Sequence, residues 1–249
     1  MLAGLLGVGG GLIIVPVLAF VFAAQHFPEA YILHMALGTS LASIAFTSIS
    51  SLRAHHAHAA VDWPIVRRIT PGIVAGTLLG SVLAAWLSTV FLKVFFVAFL
   101  FYAGTQMLLN IRPKAARQLP QLTGMFVAGS IIGAVSSLVG IGGGTLSVPF
   151  MTWCNVALHR AIGTSAAIGF PIAVAGAFGY AANGYGLAGL PANSFGFIYL
   201  PALLGVAIAS VLTAPFGARL AHRLPVPKLK RIFAMLLYVL AFRMLASLF

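Results

Sequence analysis

Six predominantly apolar stretches, at 34–52, 69–89, 92–111, 159–182, 195–217 and 229–249, constrain this chain more than any motif. Each is about the 20 residues that an α-helix needs to cross the hydrocarbon core of a bilayer. Two further apolar segments, 1–24 and 122–158, are broken by glycine clusters, and the second is too long for one helix. Between these runs sit short clusters of cations. The chain has 14 Lys and Arg against two acids, Glu29 and Asp62, and only 6% of its residues are charged. A soluble domain carries about 25%, so a soluble enzyme is excluded. A net charge of +12 would suit a nucleic-acid binder, but such proteins carry their charge on a polar, solvated face. Cations clustered between apolar runs are instead the pattern of cytoplasmic loops. The expected class is an all-α polytopic membrane protein whose macromolecular surroundings are lipid, with no nucleic-acid partner. The lone Cys154 offers neither a disulfide nor a thiolate metal site.

An internal repeat organises the chain. Gly4-Leu5-Leu6-Gly7-Val8-Gly9-Gly10-Gly11, followed by Val15-Pro16, recurs as Ser137-Leu138-Val139-Gly140-Ile141-Gly142-Gly143-Gly144, followed by Val148-Pro149. Then come His34 and Gly38-Thr39-Ser40, matched by His159 and Gly163-Thr164-Ser165. Pro71 corresponds to Pro201, and Leu92-Lys93 to Leu229-Lys230. Duplication divides the chain into a first repeat, 1–111, a cytoplasmic linker, 112–121, and a second repeat, 122–249.

The halves distribute charge oppositely. Loop 53–68 carries Arg53, Arg67 and Arg68, whereas its counterpart, 183–194, has no charge. Loop 219–231 carries Arg219, Arg223, Lys228, Lys230 and Arg231, whereas its counterpart near residue 90 is short. Because cytoplasmic loops hold the Lys and Arg excess, the repeats are expected to be inverted, which requires an odd number of crossings per half. A glycine-broken re-entrant helical hairpin plus three spanning helices meets that requirement. Eight simple spans in parallel repeats are the competing topology. The entering arm 122–135 has almost no counterpart before Gly4, so the first hairpin is either short or begins about a dozen residues upstream of Met1. The second is favoured, since an unpaired half-hairpin exposes backbone polar groups to lipid.

Irregular backbone at membrane depth is tolerated only against protein or a watery cavity. Two symmetry-related glycine breaks therefore point to a substrate site at the repeat interface. Gly9, Gly10 and Gly11, and Gly142, Gly143 and Gly144, each precede a short helix whose free N–H groups and positive dipole end favour an anion. Tight small-residue packing is the plainer reading of either cluster alone. Thr39, Ser40, Thr164 and Ser165 stand near helix starts, where their hydroxyls donate to an oxyanion or bond back to the backbone. His34 and His159 occupy one repeat position and are candidates for proton coupling, beside the plainer reading of interfacial residues. Arg243 is an intramembrane cation suited to an oxyanion, or a residue that snorkels to the interface. Arg160 could draw anions to the inner mouth. His55, His56 and His58 form an HHxH cluster with only Asp62 nearby, short of a metal-ligand set. No cofactor is expected, and no nucleophile–base pair or paired carboxylates support an enzyme.

The paired glycine blocks, each followed by His and Gly-Thr-Ser, together with Val61-Asp62-Trp63 and Gly189-Leu190-Pro191, resemble the TauE/SafE sulfite-exporter family of membrane permeases. The resemblance covers essentially the whole chain. It implies transport of a sulfur-containing anion such as sulfite, sulfoacetate or another organosulfonate across a bacterial inner membrane. The residues themselves indicate only an anion-friendly, carboxylate-free interior. An alternating-access transporter is the first functional expectation. An anion channel is the second, and an intramembrane metal enzyme built on the histidine cluster is the third.

Overall fold

The computed structural model describes residues 10–109, 116–210 and 226–247, with the side chains of 226 and 227 excepted. In chain order the helices are α1 (Gly11–Ala24), α2 (Ile32–Ala57), α3 (Trp63–Trp86), α4 (Thr89–Leu108), α5 (Leu122–Val139), α6 (Gly144–Trp153) and α7 (Leu158–Gly184). A hairpin of β1 (Ser194–Phe195) and β2 (Ile198–Tyr199) leads into α8 (Leu200–Ser210), and α9 (Val226–Ala246) follows. The expected all-α class therefore holds apart from two antiparallel strands of two residues each. Five helices, α2, α3, α4, α5 and α7, are long and apolar enough to cross a membrane by length and composition.

Helix starts follow local capping chemistry. Asp62 has extended backbone angles, and its Oδ1 accepts the N–H of Ile65 at 3.4 Å, with Pro64 opening the first turn. This cap starts α3 six residues before the expected 69, so Arg67 and Arg68 ride on the helix. At its other end α2 runs on to Ala57, which puts Arg53, His55 and His56 on a helix and reduces the expected loop 53–68 to residues 58–62. Ser88 likewise caps α4 by accepting the N–H of Phe91 at 3.2 Å. The expected span 195–217 begins as a hairpin, because Gly196 takes φ +55° and turns the chain back. The long apolar segment 122–158 breaks where expected. Gly140 (φ +68°) ends α5 and Gly143 (φ +77°) begins α6, both in left-handed conformation.

Glycine faces set the packing. The most extensive helix pair is α3 with α5. A Cβ on Gly72, Gly76 or Gly80 would collide with Phe126 O, Ser130 O or Ser137 Oγ, and one on Gly129 or Gly133 would collide with the carbonyls of Ile69 or Ile73. Close backbone approach of this kind replaces the hydrophobic drive that lipid removes. The repeat-equivalent helices α2 and α7 pack on each other, as do α4 and α9. A Thr105–Tyr238 hydroxyl contact of 2.6 Å lies in the α4–α9 seam. The buried core includes Leu12, Val15, Leu37, Leu41, Ile69, Ile73, Phe96 and Ile172, while Leu79, Ile131, Phe178, Leu204, Ile208 and Val239 point outward. An apolar exterior of this extent fits lipid as the surrounding solvent.

Candidate functional site

The second glycine cluster makes a tight turn between α5 and α6. The N–H of Ile141 donates to Ser136 O at 3.0 Å, and the N–H groups of Leu146 and Ser147 donate to Gly143 O. No backbone carbonyl among the described residues accepts from Gly142 or Gly143, and the positive end of the α6 dipole lies at this turn. No side chain caps this end either. The first cluster enters α1, where Gly10 O receives the N–H groups of Ile13 and Ile14 at 3.1 Å. The two turns meet: a Cβ on Gly11 would collide with Gly140 O and press on Ile141 Cα. Gly9 lies outside the described residues, as does the arm before it.

Aliphatic side chains line the turn closely. Ile172 Cδ1 sits where a Cβ on Gly143 would stand, with Ile132 and Ser136 Oγ beside it, while Gly142 faces Ile44 and Gly169. Two buried hydroxyls, Ser136 Oγ beside Gly143 and Thr77 Oγ1 beside Gly133, have no partner among the described residues. An unpaired buried hydroxyl costs about 1–3 kcal/mol, so both are donors in waiting. Sequence reasoning missed this pair. The legible signal was Ser136-Ser137 immediately before the glycine cluster, and a threonine between Gly76 and Gly80.

The Gly-Thr-Ser motifs act as matched clamps. Gly38 admits Phe197 O at close range, and Thr39 Oγ1 accepts the N–H of Tyr199 at 3.0 Å. Gly163 admits Ala60 O, and Thr164 Oγ1 accepts the N–H of Asp62 at 2.9 Å. Each motif thus fastens the connection that precedes the following helix of the other half. The serines turn inward. Ser40 Oγ donates to Gly140 O at 2.9 Å, and Ser147 Oγ donates to Ser165 Oγ at 2.9 Å. Both serines touch the second glycine unit, one at its turn and one on α6.

The paired histidines have different surroundings. His34 is buried, with Nε2 at 2.9 Å from Ala84 O and its ring against Phe197, whereas His159 is exposed. Arg243 lies on an exposed face of α9, a helix that packs chiefly on α4. His55, His56 and His58 join no group of three or more metal-ligating residues among those described. His58 Nδ1 is 2.8 Å from Ala54 O, and His56 Nδ1 accepts from Trp63 Nε1 at 3.4 Å. Apart from His34, the buried polar side chains of the described residues are serine and threonine hydroxyls. Neither carboxylate is among them: Glu29 is exposed, and Asp62 is partly exposed with its Oδ2 3.7 Å from Arg160 Nη1. A cation site needs carboxylate or carbonyl ligands. Several of the buried hydroxyls already donate to backbone carbonyls, as Ser43, Ser48 and Ser81 do within their own helices.

Residues 1–244 match the family model described as sulfite exporter TauE/SafE. The chain is 37% identical over 245 residues to a probable membrane transporter protein of Haemophilus influenzae, covering 98% of this chain and 92% of that protein. It is 28% identical over 172 residues to a probable membrane transporter protein of Methanocaldococcus jannaschii, covering 68% and 63%. No solved structure matches.

Proposed function

The chain belongs to the sulfite exporter TauE/SafE family of membrane transporters, and from that premise we propose that it carries a sulfur-containing anion across the bacterial inner membrane by alternating access. The cargo class is sulfite, sulfoacetate or another organosulfonate. The observation that carries this reading is the meeting of Gly11 with Gly140. Gly11 at the start of α1 and the glycine turn before α6, from opposite halves of the chain, abut.

The reading assigns residues 1–111 and 122–249 to two inverted repeats joined by the linker 112–121. In its favour, α6 is ten residues long and reaches about 15 Å, half the hydrocarbon thickness, as the returning arm of a re-entrant hairpin should. The anion would lie at the glycine turns, held by amides of Gly10, Gly11 and Gly142 to Gly144 and by nearby hydroxyls, with Ser40 and Ser165 fixing the turn from either repeat. Thr39 and Thr164 act as hinges' fastenings in this scheme, holding the loops that part when one end opens. His34 and His159, at opposite ends, are the proton-coupling candidates. Arg243 would add a guanidinium from the rim. Rocking of one half against the other then exposes the junction to each side in turn.

Counterflow in proteoliposomes tests the proposal. Vesicles preloaded with unlabelled sulfite should accelerate uptake of labelled sulfite. Uptake without trans-stimulation would identify a channel, and no saturable uptake of sulfite or organosulfonates would end the reading.

A further inference from the structure

Asp62 is one of only two acids in the chain, and it stands at the most arginine-rich end of the described helices. Its Oδ2 is 3.7 Å from Arg160 Nη1. Its other oxygen caps α3, and its N–H is held by Thr164. Asp62 also lines a cavity of about 290 Å³ with Pro64, Ile65, Arg68, Leu119 and Met125, so it stands between Arg68 of that cavity and its own ion-pair partner Arg160. The matching clamp at the opposite end has no carboxylate. There, Tyr199 on Thr39 is surrounded by Phe22 and Phe27. The Asp62 carboxylate thus serves two partners, a helix cap through one oxygen and an arginine through the other.

A polar track leads inward from this pair. The side chain of Arg160 is 53% exposed and that of Asp62 22%. Next come Thr164, which accepts the backbone N–H of Asp62, and its chain neighbour Ser165, which accepts from Ser147 Oγ; all three are buried, and Ser147 N–H bonds Gly143 O at the start of α6. These residues lie between an exposed guanidinium and the glycine turn, partly exposed at Asp62 and buried from Thr164 onward. An ion pair of 3.7 Å with both partners partly solvated is weak, worth no more than about a factor of five in an equilibrium. It can be exchanged by a passing anion.

We propose that Arg160 and Arg68 form the anion-capture site at this mouth and that Asp62 is its built-in counter-ion, displaced from Arg160 by the arriving oxyanion. The inference rests on the anion-transport reading. With the cavity empty, Asp62 neutralises Arg160 and keeps the α2–α3 connection closed on α7. A sulfur oxyanion takes over the guanidinium, frees the carboxylate and loosens the clamp over Thr164, so that capture and opening are one event. A cation gains nothing from this exchange, which makes the pair a charge filter.

The test uses the full chain in proteoliposomes, with sulfite as the probe and initial uptake measured against its concentration. Asp62→Asn retains a capping side chain and the backbone bond to Thr164 while removing the charge. It should lower the half-saturating sulfite concentration about two- to five-fold. Arg160→Gln should raise it, and in that background the gain from Asp62→Asn should vanish, because no guanidinium remains to be released. A gain that persists without Arg160 would show general field repulsion and overturn the exchange. An unchanged half-saturation in Asp62→Asn, with wild type transporting sulfite, would overturn this proposal alone. A wild type that takes up no sulfite overturns the transport reading, and this one with it.

Discussion

Thr164 Oγ1 accepts the backbone N–H of Asp62 at 2.9 Å and so closes the α2–α3 connection onto the start of α7. The equivalent bond, from Tyr199 N–H to Thr39 Oγ1 at 3.0 Å, closes the β-hairpin onto α2. One motif in two copies thus performs one task at two places, with Gly38 and Gly163 giving the space for a carbonyl beside each threonine.

Removing either acceptor tests that task. Thr39→Val and Thr164→Val keep the shape but leave a backbone N–H unpaired, at a cost of about 1–3 kcal/mol each. Each should lower the thermal unfolding midpoint of the detergent-solubilised protein, and Thr→Ser at the same positions should restore most of it. Equal midpoints for the valine and wild-type proteins would show that these hydroxyls do not hold the loops.

The α3–α5 seam makes a second, sharper prediction. Gly76→Ala and Gly133→Ala drive a methyl into the carbonyls of Ser130 and Ile73, which are backbone and cannot swing aside. Both variants should fail to accumulate as folded protein. Gly205→Ala on α8 meets nothing within 4 Å among the described residues, and alanine favours a helix over glycine by roughly 0.5–1 kcal/mol. It should be tolerated or stabilising, as read by yield and a monodisperse elution profile.

Cys154 follows the last turn of α6 and is buried. Burial pushes its thiol above the usual range, while Arg117, stacked on Trp153 at 5.0 Å, pulls it part of the way back. A raised pKa means less thiolate at any pH below it, and the thiolate is the reactive form. Maleimide labelling of the native protein should therefore be slow at pH 7 and accelerate as pH rises past the ordinary thiol range. Rapid labelling at pH 7 that matches free cysteine would contradict the buried placement. Slow labelling makes the wild type a quiet background for introduced reporter cysteines.

The membrane class and the helix break at 140–144 are legible in the sequence, because they depend on composition and on glycine, which read locally. The start of α3 is less legible, because the cations Arg67 and Arg68 read as loop while the Asp62 cap and Pro64 in fact open the helix ahead of them. The sequence leaves the role of Thr39 and Thr164 open between ligand and backbone, since their partners, Tyr199 and Asp62, lie in the other half of the chain. Ser136 and Thr77 stand out by position beside the glycines, but that they lack partners is not legible, for a related reason. Whether a buried hydroxyl is satisfied depends on which helix faces it, and glycine periodicity along α3 and α5 does not fix that facing.

The anion cradle itself is best tested at Gly142. Gly143→Val is a poor probe, since Gly143 has φ +77° and Ile172 already fills the space a side chain would need. Gly11 is no better, because any Cβ there strikes Gly140 O. Gly142 has no left-handed angle, and among the described residues its Cβ would meet only Ile44 Cγ2 at 3.4 Å and Gly169 Cα at 3.8 Å, both ordinary contacts. Gly142→Ala should therefore fold and insert like wild type while placing a methyl beside the amides of this turn. If the anion is held there, the half-saturating sulfite concentration should rise about ten-fold or more, the loss of roughly one charge-assisted hydrogen bond. Wild-type uptake kinetics in a normally inserted Gly142→Ala protein would mean that the glycines serve helix packing alone and that the anion is held elsewhere.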